Sequence, residues 1–124
     1  DQIFVIDRAQ NVTFGNQVAA EFAQLSCPQE FEGKTNYTLF SQAQANIYEQ
    51  QNQQVFQTGE ILHVEEAFQS SAGQVFFDTY KIPLKRPDGE VYALIGTSRD
   101  ITELVETRQA LEQQATHLAA TNQE

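Results

Sequence analysis

The tightest constraint on the fold is a turn late in the chain, where Arg86-Pro87-Asp88-Gly89 separates two extended segments. Proline fixes φ at a value that suits the first corner of a turn, and glycine tolerates the left-handed backbone region. The flanking residues 75–84 and 91–98 are rich in β-branched and aromatic side chains and predict strands. Strands joined by so short a turn pair antiparallel, which excludes a βαβ crossover at this point.

Extended segments also occur near the start and in the middle of the chain. Residues 3–7 and 12–14 predict an opening hairpin, and residues 61–68 alternate apolar and polar side chains as a half-buried strand does. Glu66 falls on the apolar side of that strand, so it either points inward or forms a solvated pair with Glu65. On the next strand one side is shared by Phe76, Tyr80, Ile82 and Leu84.

Helical segments lie between these strands and after them. Asn16 stands where an N-cap would stand, and residues 41–58 predict a longer helix that ends at Gly59. From Ile101 the pattern is helical to the end of the chain. This order of elements indicates an α+β fold with an antiparallel sheet. One face of the longer helix carries Ala45, Tyr48, Asn52, Val55 and Phe56.

Charge and cysteine content limit the partners and the compartment. The 124 residues include 7 Lys and Arg against 17 Asp and Glu, a net charge of −10 that repels phosphate backbones and anionic lipids. We therefore expect no nucleic-acid partner and no direct membrane insertion, since no apolar run nears the roughly 20 residues of a spanning helix. Cys27 is the single cysteine, so a cytoplasmic location is expected for what we interpret as a segment of a longer polypeptide.

Three local motifs occur in a fixed order along the chain. The first is Ile3-Phe4-Val5-Ile6-Asp7 followed by Val12-Thr13-Phe14-Gly15-Asn16, the second is Tyr80-Lys81-Ile82-Pro83-Leu84 followed by Asp88-Gly89-Glu90, and the third is Gly96-Thr97-Ser98-Arg99-Asp100-Ile101-Thr102. Together, over about residues 1–102, they resemble the opening hairpin, the penultimate strand and the Asp-Ile-Thr exit motif of the PAS family, the sensory domains of bacterial signalling proteins.

The resemblance implies a five-stranded antiparallel sheet with helices on one face, forming a cup that can hold a ligand in a sensory domain of residues 1–100. It implies a relay module of a sensor histidine kinase, with a diguanylate cyclase as the alternative output domain. Haem-binding relatives use a His on the long helix, and photoactive flavin relatives use a Cys shortly after the glycine that Gly33 resembles. Residues 41–58 contain no His, Cys or Met and residues 34–40 contain no Cys, so both cofactors are disfavoured.

The last segment, residues 101–124, carries a heptad pattern. Leu104, Leu111 and Leu118 recur every seven residues as d positions. This seam predicts a two-stranded coiled coil and a homodimer, although the helix could instead pack on its own sheet. The companion a positions are Ile101, Arg108, Ala115 and Asn122.

The junction before this helix is the expected signal relay, formed by Asp100, Ile101 and Thr102. Asp100 can accept hydrogen bonds from the first free N–H groups of the helix. Glu103 is expected at the third helical position, where it would complete a capping box. The same residues could also form only a well-capped helix, without any signalling role.

The expected ligand-binding residues lie on the helices that cover the cup. They are Phe22, Phe40, Tyr48, Asn52, Val55 and Phe56. Asn52 is polar on an apolar stripe, so its amide either bonds nearby backbone or contacts a ligand. The cup could also be filled by its own aromatic side chains, which would make the chain a ligand-free dimerisation module.

No catalytic or metal-binding constellation accompanies this expected site. Glu66, Asp78 and His63 are the loose candidates for acid–base chemistry, and no spacing ties them together. Neither His63 nor His117 has a second ligand at metal-binding spacing. We therefore expect a binding module and not an enzyme in this segment.

Overall fold

The computed structural model describes the backbone of residues 1–122 and the side chains of residues 1–119. Five strands form one sheet in the order β2-β1-β5-β4-β3, and every neighbouring pair is antiparallel. The expected five-stranded antiparallel sheet is confirmed. Its strands are β1 (Gln2–Asp7), β2 (Val12–Gly15), β3 (Leu62–Ser70), β4 (Gly73–Lys85) and β5 (Val91–Asp100).

The helices between β2 and β3 cover one face of this sheet, as expected, and the final helix follows β5. Asn122 lies beyond the described side chains, and residues 123 and 124 lie outside the described residues altogether. Within the described part of the chain, no helix is long and apolar enough to cross a membrane. The helices are α1 (Gln17–Phe22), α2 (Asn36–Leu39), α3 (Gln42–Thr58) and α4 (Thr102–Asn122), with a 3-10 turn at Pro28–Phe31.

Two residues that the sequence marks as helix boundaries act as such. Asn16 Oδ1 accepts hydrogen bonds from Ala19 N at 2.9 Å and from Ile3 N at 3.1 Å, so one amide caps α1 and ties it to β1. Gly59 ends α3 with a φ of +67°, and its N–H donates to Val55 O at 2.9 Å. These bonds fix the two helices over the sheet.

Strand register decides which side of β4 faces these helices. Lys81 pairs with Leu62 and Thr79 with Val64 across β3, and paired residues share a face. The inner face of β4, which the helices cover, therefore carries Lys81, Thr79 and the buried Phe77. The apolar side that the sequence singles out is the opposite, outer face, where Tyr80 is 39% exposed. The outer residues Phe76, Ile82 and Leu84 are half-buried.

Candidate ligand-binding site

A cavity lies between the inner face of the sheet and the helices that cover it. Its volume is about 60 Å³, well below the roughly 150 Å³ of a cavity that holds benzene. Of the residues expected from sequence, Phe22, Phe40, Tyr48 and Asn52 line the cavity. The strands contribute Gln2, Phe4, Ile6, Phe77, Thr79, Lys81, Glu66 and Ser98.

Val55 and Phe56, also expected to line the site, lie outside the cavity lining. Both are buried in the main core together with Leu94 and Ile6. They follow Asn52 by about one helical turn, where α3 packs directly on the sheet and no space remains. This part of the expected site is therefore corrected: the two residues stabilise the fold under the end of α3.

An aromatic cluster forms one wall of the cavity. The Phe22 ring centroid lies 5.8 Å from that of Phe40, 4.8 Å from that of Phe68 and 5.1 Å from that of Phe77. Phe40 meets Tyr48 edge-on at 5.2 Å. Three of these four contacts are edge-to-face, a geometry that holds the rings in fixed orientations, so the wall offers apolar ring surfaces to a ligand.

The inner face of β4 also brings a buried ammonium group to the cavity. Lys81 is 2% exposed, and its Nζ donates to Asn52 Oδ1 at 2.9 Å. Asn52 Nδ2 in turn donates to Gln10 Oε1 at 3.0 Å, which fixes the orientation of the amide. The oxygen and the nitrogen of the Asn52 amide thus both bond side chains, so neither atom needs the nearby backbone or a ligand as its partner.

Burial dominates the titration of this lysine. It lowers the pKa of Lys81 from 10.5 to about 8, against the charges of Glu66 and Glu49, which raise it. The ammonium also lies 5.3 Å from the centroid of the Tyr48 ring and 6.0 Å from that of Phe4. Among residues 1–119 no carboxylate forms an ion pair with Lys81.

Glu66 lines the cavity on the neighbouring strand, so the inward alternative for this residue is the observed one. Its Oε2 accepts from Gln51 Nε2 at 2.9 Å. Burial and the charge of Glu66 raise the pKa of Tyr48, which keeps its hydroxyl protonated. Burial likewise raises the pKa of Glu49, and the charge of Lys81 opposes that effect.

Lys81 is the residue that sequence reasoning missed. Its strand was interpreted from the apolar positions, and these lie on the outer face. The alternation along the strand does place Phe77, Thr79 and Lys81 on one face, and Lys81 is the one charged residue among these three. Only the register with β3 shows that this face is the buried one.

The junction between β5 and α4 is tied to β4 by two hydrogen bonds. Ile101 N donates to Phe76 O at 2.8 Å, and Phe76 N donates to Thr102 Oγ1 at 3.0 Å. Asp100 Oδ1 accepts from both Thr102 N at 2.9 Å and Thr102 Oγ1 at 2.6 Å. The expected capping box is corrected: α4 begins at Thr102, so Glu103 lies one position too early, and Thr102 bonds β4 instead.

Helix α4 leaves the sheet after its first turns. Ile101 is buried, whereas Leu104, Leu111 and Leu118 are 53%, 60% and 54% exposed. Beyond the first turn, Arg108 Nη1 lies 3.4 Å from Glu65 Oε2 on the outer face of β3. The three leucines therefore do not pack against the sheet of their own chain.

Comparison with known proteins places these features in a family. A family model described as PAS fold matches residues 1–106. A curated protein of Vibrio cholerae named diguanylate cyclase is 35% identical over 116 residues. That match covers 91% of this chain and 36% of the relative, so the chain spans about a third of the length of that protein.

Solved structures share the fold at lower identity. The VqmA dimer of Vibrio cholerae superposes with a TM-score of 0.74 at 21% identity, covering 83% of this chain and 47% of that one. The PAS domain of the quorum-sensing receptor RpfR from Cronobacter turicensis, in complex with C12:0, gives a TM-score of 0.64 at 27% identity. That match covers 82% of this chain and 93% of the RpfR domain.

Proposed function

The chain belongs to the PAS-fold family, and from that membership we propose that it is a sensory module that binds a small molecule and relays its presence through α4. The observation that carries the proposal is the cavity, which combines an aromatic wall with a buried ammonium group. Apolar surfaces with a few placed polar groups are the usual composition of a small-molecule site. A structure of the related RpfR domain with C12:0 supports ligand binding by this fold.

The relay follows from the position of the cavity next to the junction. Phe77 lines the cavity, and the backbone of its neighbour Phe76 accepts from Ile101 N and donates to the Thr102 hydroxyl. Ser98 of β5 also lines the cavity, two residues before Asp100. A ligand that shifts β4 against β5 therefore changes the geometry at the start of α4, and it selects between arrangements of that helix.

We propose that α4 pairs with the α4 of a second copy. Three leucines at heptad spacing are more than half exposed in the single chain, and pairing would bury them. Arg108 at an a position contacts Glu65 of its own domain, so pairing competes with that contact. A seam weakened by such a residue is suited to a switch between two arrangements.

The output domain we propose is a diguanylate cyclase located C-terminal to α4. The 35% identical relative with that name supports the cyclase over the histidine kinase, and the greater part of its length lies outside the match. The cytoplasm is the proposed location, for which the acidic chain with its single cysteine is suited.

The relay is tested by measuring cyclic di-GMP synthesis by the full-length protein. The measurement is made with and without a fraction of cell extract, selected because it raises the activity of the wild type. Asp100→Ala removes the acceptor that holds Thr102, and we expect activity to persist while its dependence on the fraction disappears. Glu106→Ala, on the exposed side of α4, is the matched control and should respond as the wild type does. An Asp100→Ala variant that still responds fully contradicts the relay.

Sensing is tested separately from relay by filling the cavity. Ser98→Phe places a ring in the lining, and we expect it to abolish the response, with circular dichroism to check that the variant is folded. Native mass spectrometry of the wild type should show a retained small molecule. An unaltered response of Ser98→Phe, with no retained mass, would support the ligand-free dimerisation module instead.

A further inference from the structure

A surface groove adjoins the cavity where α1 passes the start of β1 and the end of β5. Its volume is about 490 Å³, against about 60 Å³ for the cavity. Sites for small organic molecules span about 300 to 1,000 Å³, so the groove has the size that the cavity lacks. The residues that line both spaces are Gln2, Phe22, Phe77 and Ser98.

Gln2 brings a buried amide without a partner to this groove. The residue is 8% exposed and pairs with Ser98 on the inner face of the sheet. The Ser98 hydroxyl lies 2.9 Å from Thr79 Oγ1, so it is already engaged. Among residues 1–119, no group forms a hydrogen bond with the side-chain amide of Gln2. Buried amides normally have partners, so the oxygen and the nitrogen of this one are available to a bound molecule.

The groove also carries carboxylates that have no counterion. They belong to Glu21 on α1, to Asp100 at the end of β5 and to Asp1. The ion pairs among the described side chains join other residues, and the hydrogen bonds that Glu21 and Asp100 accept come from neutral groups. Arg99 is the one basic residue of the lining, and its pairing with Asp78 places it on the outer face. Negative charge therefore dominates the groove on the inner side of the sheet.

The strand register brings the amide and one carboxylate together. Gln2 pairs with Ser98, and Asp100 follows Ser98 by two residues on the same strand. Residues two apart on a strand share a face, and a diagonal pair on neighbouring strands lies about 7–8 Å apart. One ligand group can therefore contact both the Gln2 amide oxygen and the Asp100 carboxylate.

The rest of the groove surface is apolar. Val18 is 46% exposed, and it lies one helical turn before Glu21 and Phe22 on the same side of α1. The ring centroids of Phe22 and Phe77 lie 5.1 Å apart in an edge-to-face contact. Aromatic rings also attract cations, so the groove suits a molecule with an apolar body and a positive group.

We propose that this groove binds a small organic amine. Its ammonium group donates hydrogen bonds to the Gln2 amide oxygen and pairs with Asp100 and Glu21. Its apolar body packs on Val18 and the aromatic rings. The site is separate from the cavity and does not require a ligand there. Because Asp100 also holds Thr102, an amine bound here acts directly on the start of α4.

The probes are phenethylamine, the neutral phenethyl alcohol and the anionic phenylacetate, titrated into the full-length protein by calorimetry at neutral pH. An exposed carboxylate contributes up to about fivefold in affinity, so the amine should bind about 5- to 25-fold more tightly than the alcohol. Phenylacetate should bind most weakly. Raising the NaCl concentration from about 0.05 M to about 0.5 M should reduce the advantage of the amine, since salt screens exposed charges.

Two variants separate the charge of the groove from its amide. Glu21→Gln should weaken amine binding about fivefold and leave alcohol binding unchanged, because Glu21 is exposed and contributes its charge. Glu106→Gln is the matched control, since it removes the same charge from the exposed side of α4, and it should bind the amine as the wild type does. Gln2→Leu should weaken amine and alcohol alike, because both donate to the amide oxygen, with circular dichroism to check that the variant is folded.

Hydrogen exchange of the full-length protein, measured by mass spectrometry, locates the bound amine. The amine should slow exchange in residues 17–22 and 98–102. It should leave α3 unchanged, because residues of α3 line the cavity and none of them lines the groove.

The proposal is overturned if phenethyl alcohol or phenylacetate binds as tightly as the amine, or if Glu21→Gln binds the amine as Glu106→Gln does. Absence of amine binding at millimolar concentration, or protection confined to α3, also overturns it. None of these results decides the proposed sensory function, which is judged by the response of the full-length protein to the extract fraction.

Discussion

The two faces of β4 differ in the kind of side chain that each one buries. On the inner face a charged residue, Lys81, is almost fully buried and depends on one amide, whereas on the outer face an aromatic residue, Tyr80, is 39% exposed. The outer face also carries His63, whose side chain is 48% exposed and whose Nε2 lies 2.5 Å from Asp78 Oδ1. Whether a residue of β4 is charged or apolar therefore does not indicate whether it is buried. The inner face loses stability because it buries a polar site, and the outer face has no such cost.

Replacing Asn52 with leucine should break the inner face most severely. The ammonium of Lys81 loses its acceptor and Gln10 Oε1 loses its donor, so the free energy of unfolding should fall by about 3 kcal/mol. Urea denaturation measures the loss. Gln54→Leu, on the exposed side of α3, is the control and should change stability by about 0.5 kcal/mol or less. Equal effects of the two variants would contradict the proposed role of Asn52.

The next effect is a rise in stability with pH. Because the pKa of Lys81 is lowered on folding from 10.5 to about 8, the unfolded chain binds more protons between these values. Stability should therefore increase by about 3 kcal/mol as the pH rises through that window, and the cost of burial should be fully present below it. Lys81→Met should abolish this part of the rise and should be about 1–2 kcal/mol more stable than the wild type at neutral pH.

Urea denaturation at a series of pH values gives both quantities. Lys85→Met provides the baseline for all other titrating groups, since it removes an exposed lysine from the same strand. A rise that persists unchanged in Lys81→Met would show that another group is responsible.

A smaller effect is expected at the start of α4, where Thr102 bonds the backbone of β4. Thr102→Val keeps the shape of the side chain and leaves Phe76 N without its acceptor, so unfolding should require about 1–2 kcal/mol less free energy. Thr107→Val on the exposed part of α4 is the matched control. Hydrogen exchange should also quicken at the Phe76 amide, and slow exchange there in Thr102→Val would contradict the bond.

The smallest effect is expected on the outer face. His63 stacks on Tyr80 with ring centroids 4.0 Å apart and pairs with Asp78, yet its side chain is 48% exposed. Solvent screening limits such pairs, so a double-mutant cycle of His63→Ala and Asp78→Ala should give a coupling of at most about 1 kcal/mol. A larger coupling energy would contradict the contrast between the two faces, because polar contacts on the outer face would then contribute as much to stability as those on the inner face.

The fold could be predicted from local signals that do not depend on long-range pairing. The turn at Pro87 and Gly89, the cap at Asn16 and the helix end at Gly59 each act through backbone geometry that a few residues determine. The part of the site on α3 was predictable for the same reason, because helical periodicity alone places Tyr48 and Asn52 on one face.

The strand side of the site was not predictable in this way. The partner of Asn52 is Lys81, 29 residues later, and their contact depends on the register between β3 and β4. A shift of one residue would exchange Lys81 for Tyr80 or Ile82 on the inner face. The apolar residues of β4 alternate most regularly on its outer face, so apolar periodicity alone does not identify the face that lines the site.

Gly96 lies on the inner face of β5 opposite Phe4, and a β-carbon at that position would stand 2.1 Å from two carbons of the Phe4 ring. Phe4 itself lines the cavity. One added methyl group would thus force the Phe4 ring to move, and the shape of the cavity would change with it. The hydrogen atom at Gly96 Cα is therefore what allows Phe4 to keep its place in the cavity lining, and the volume of the cavity depends on a residue that does not itself line it.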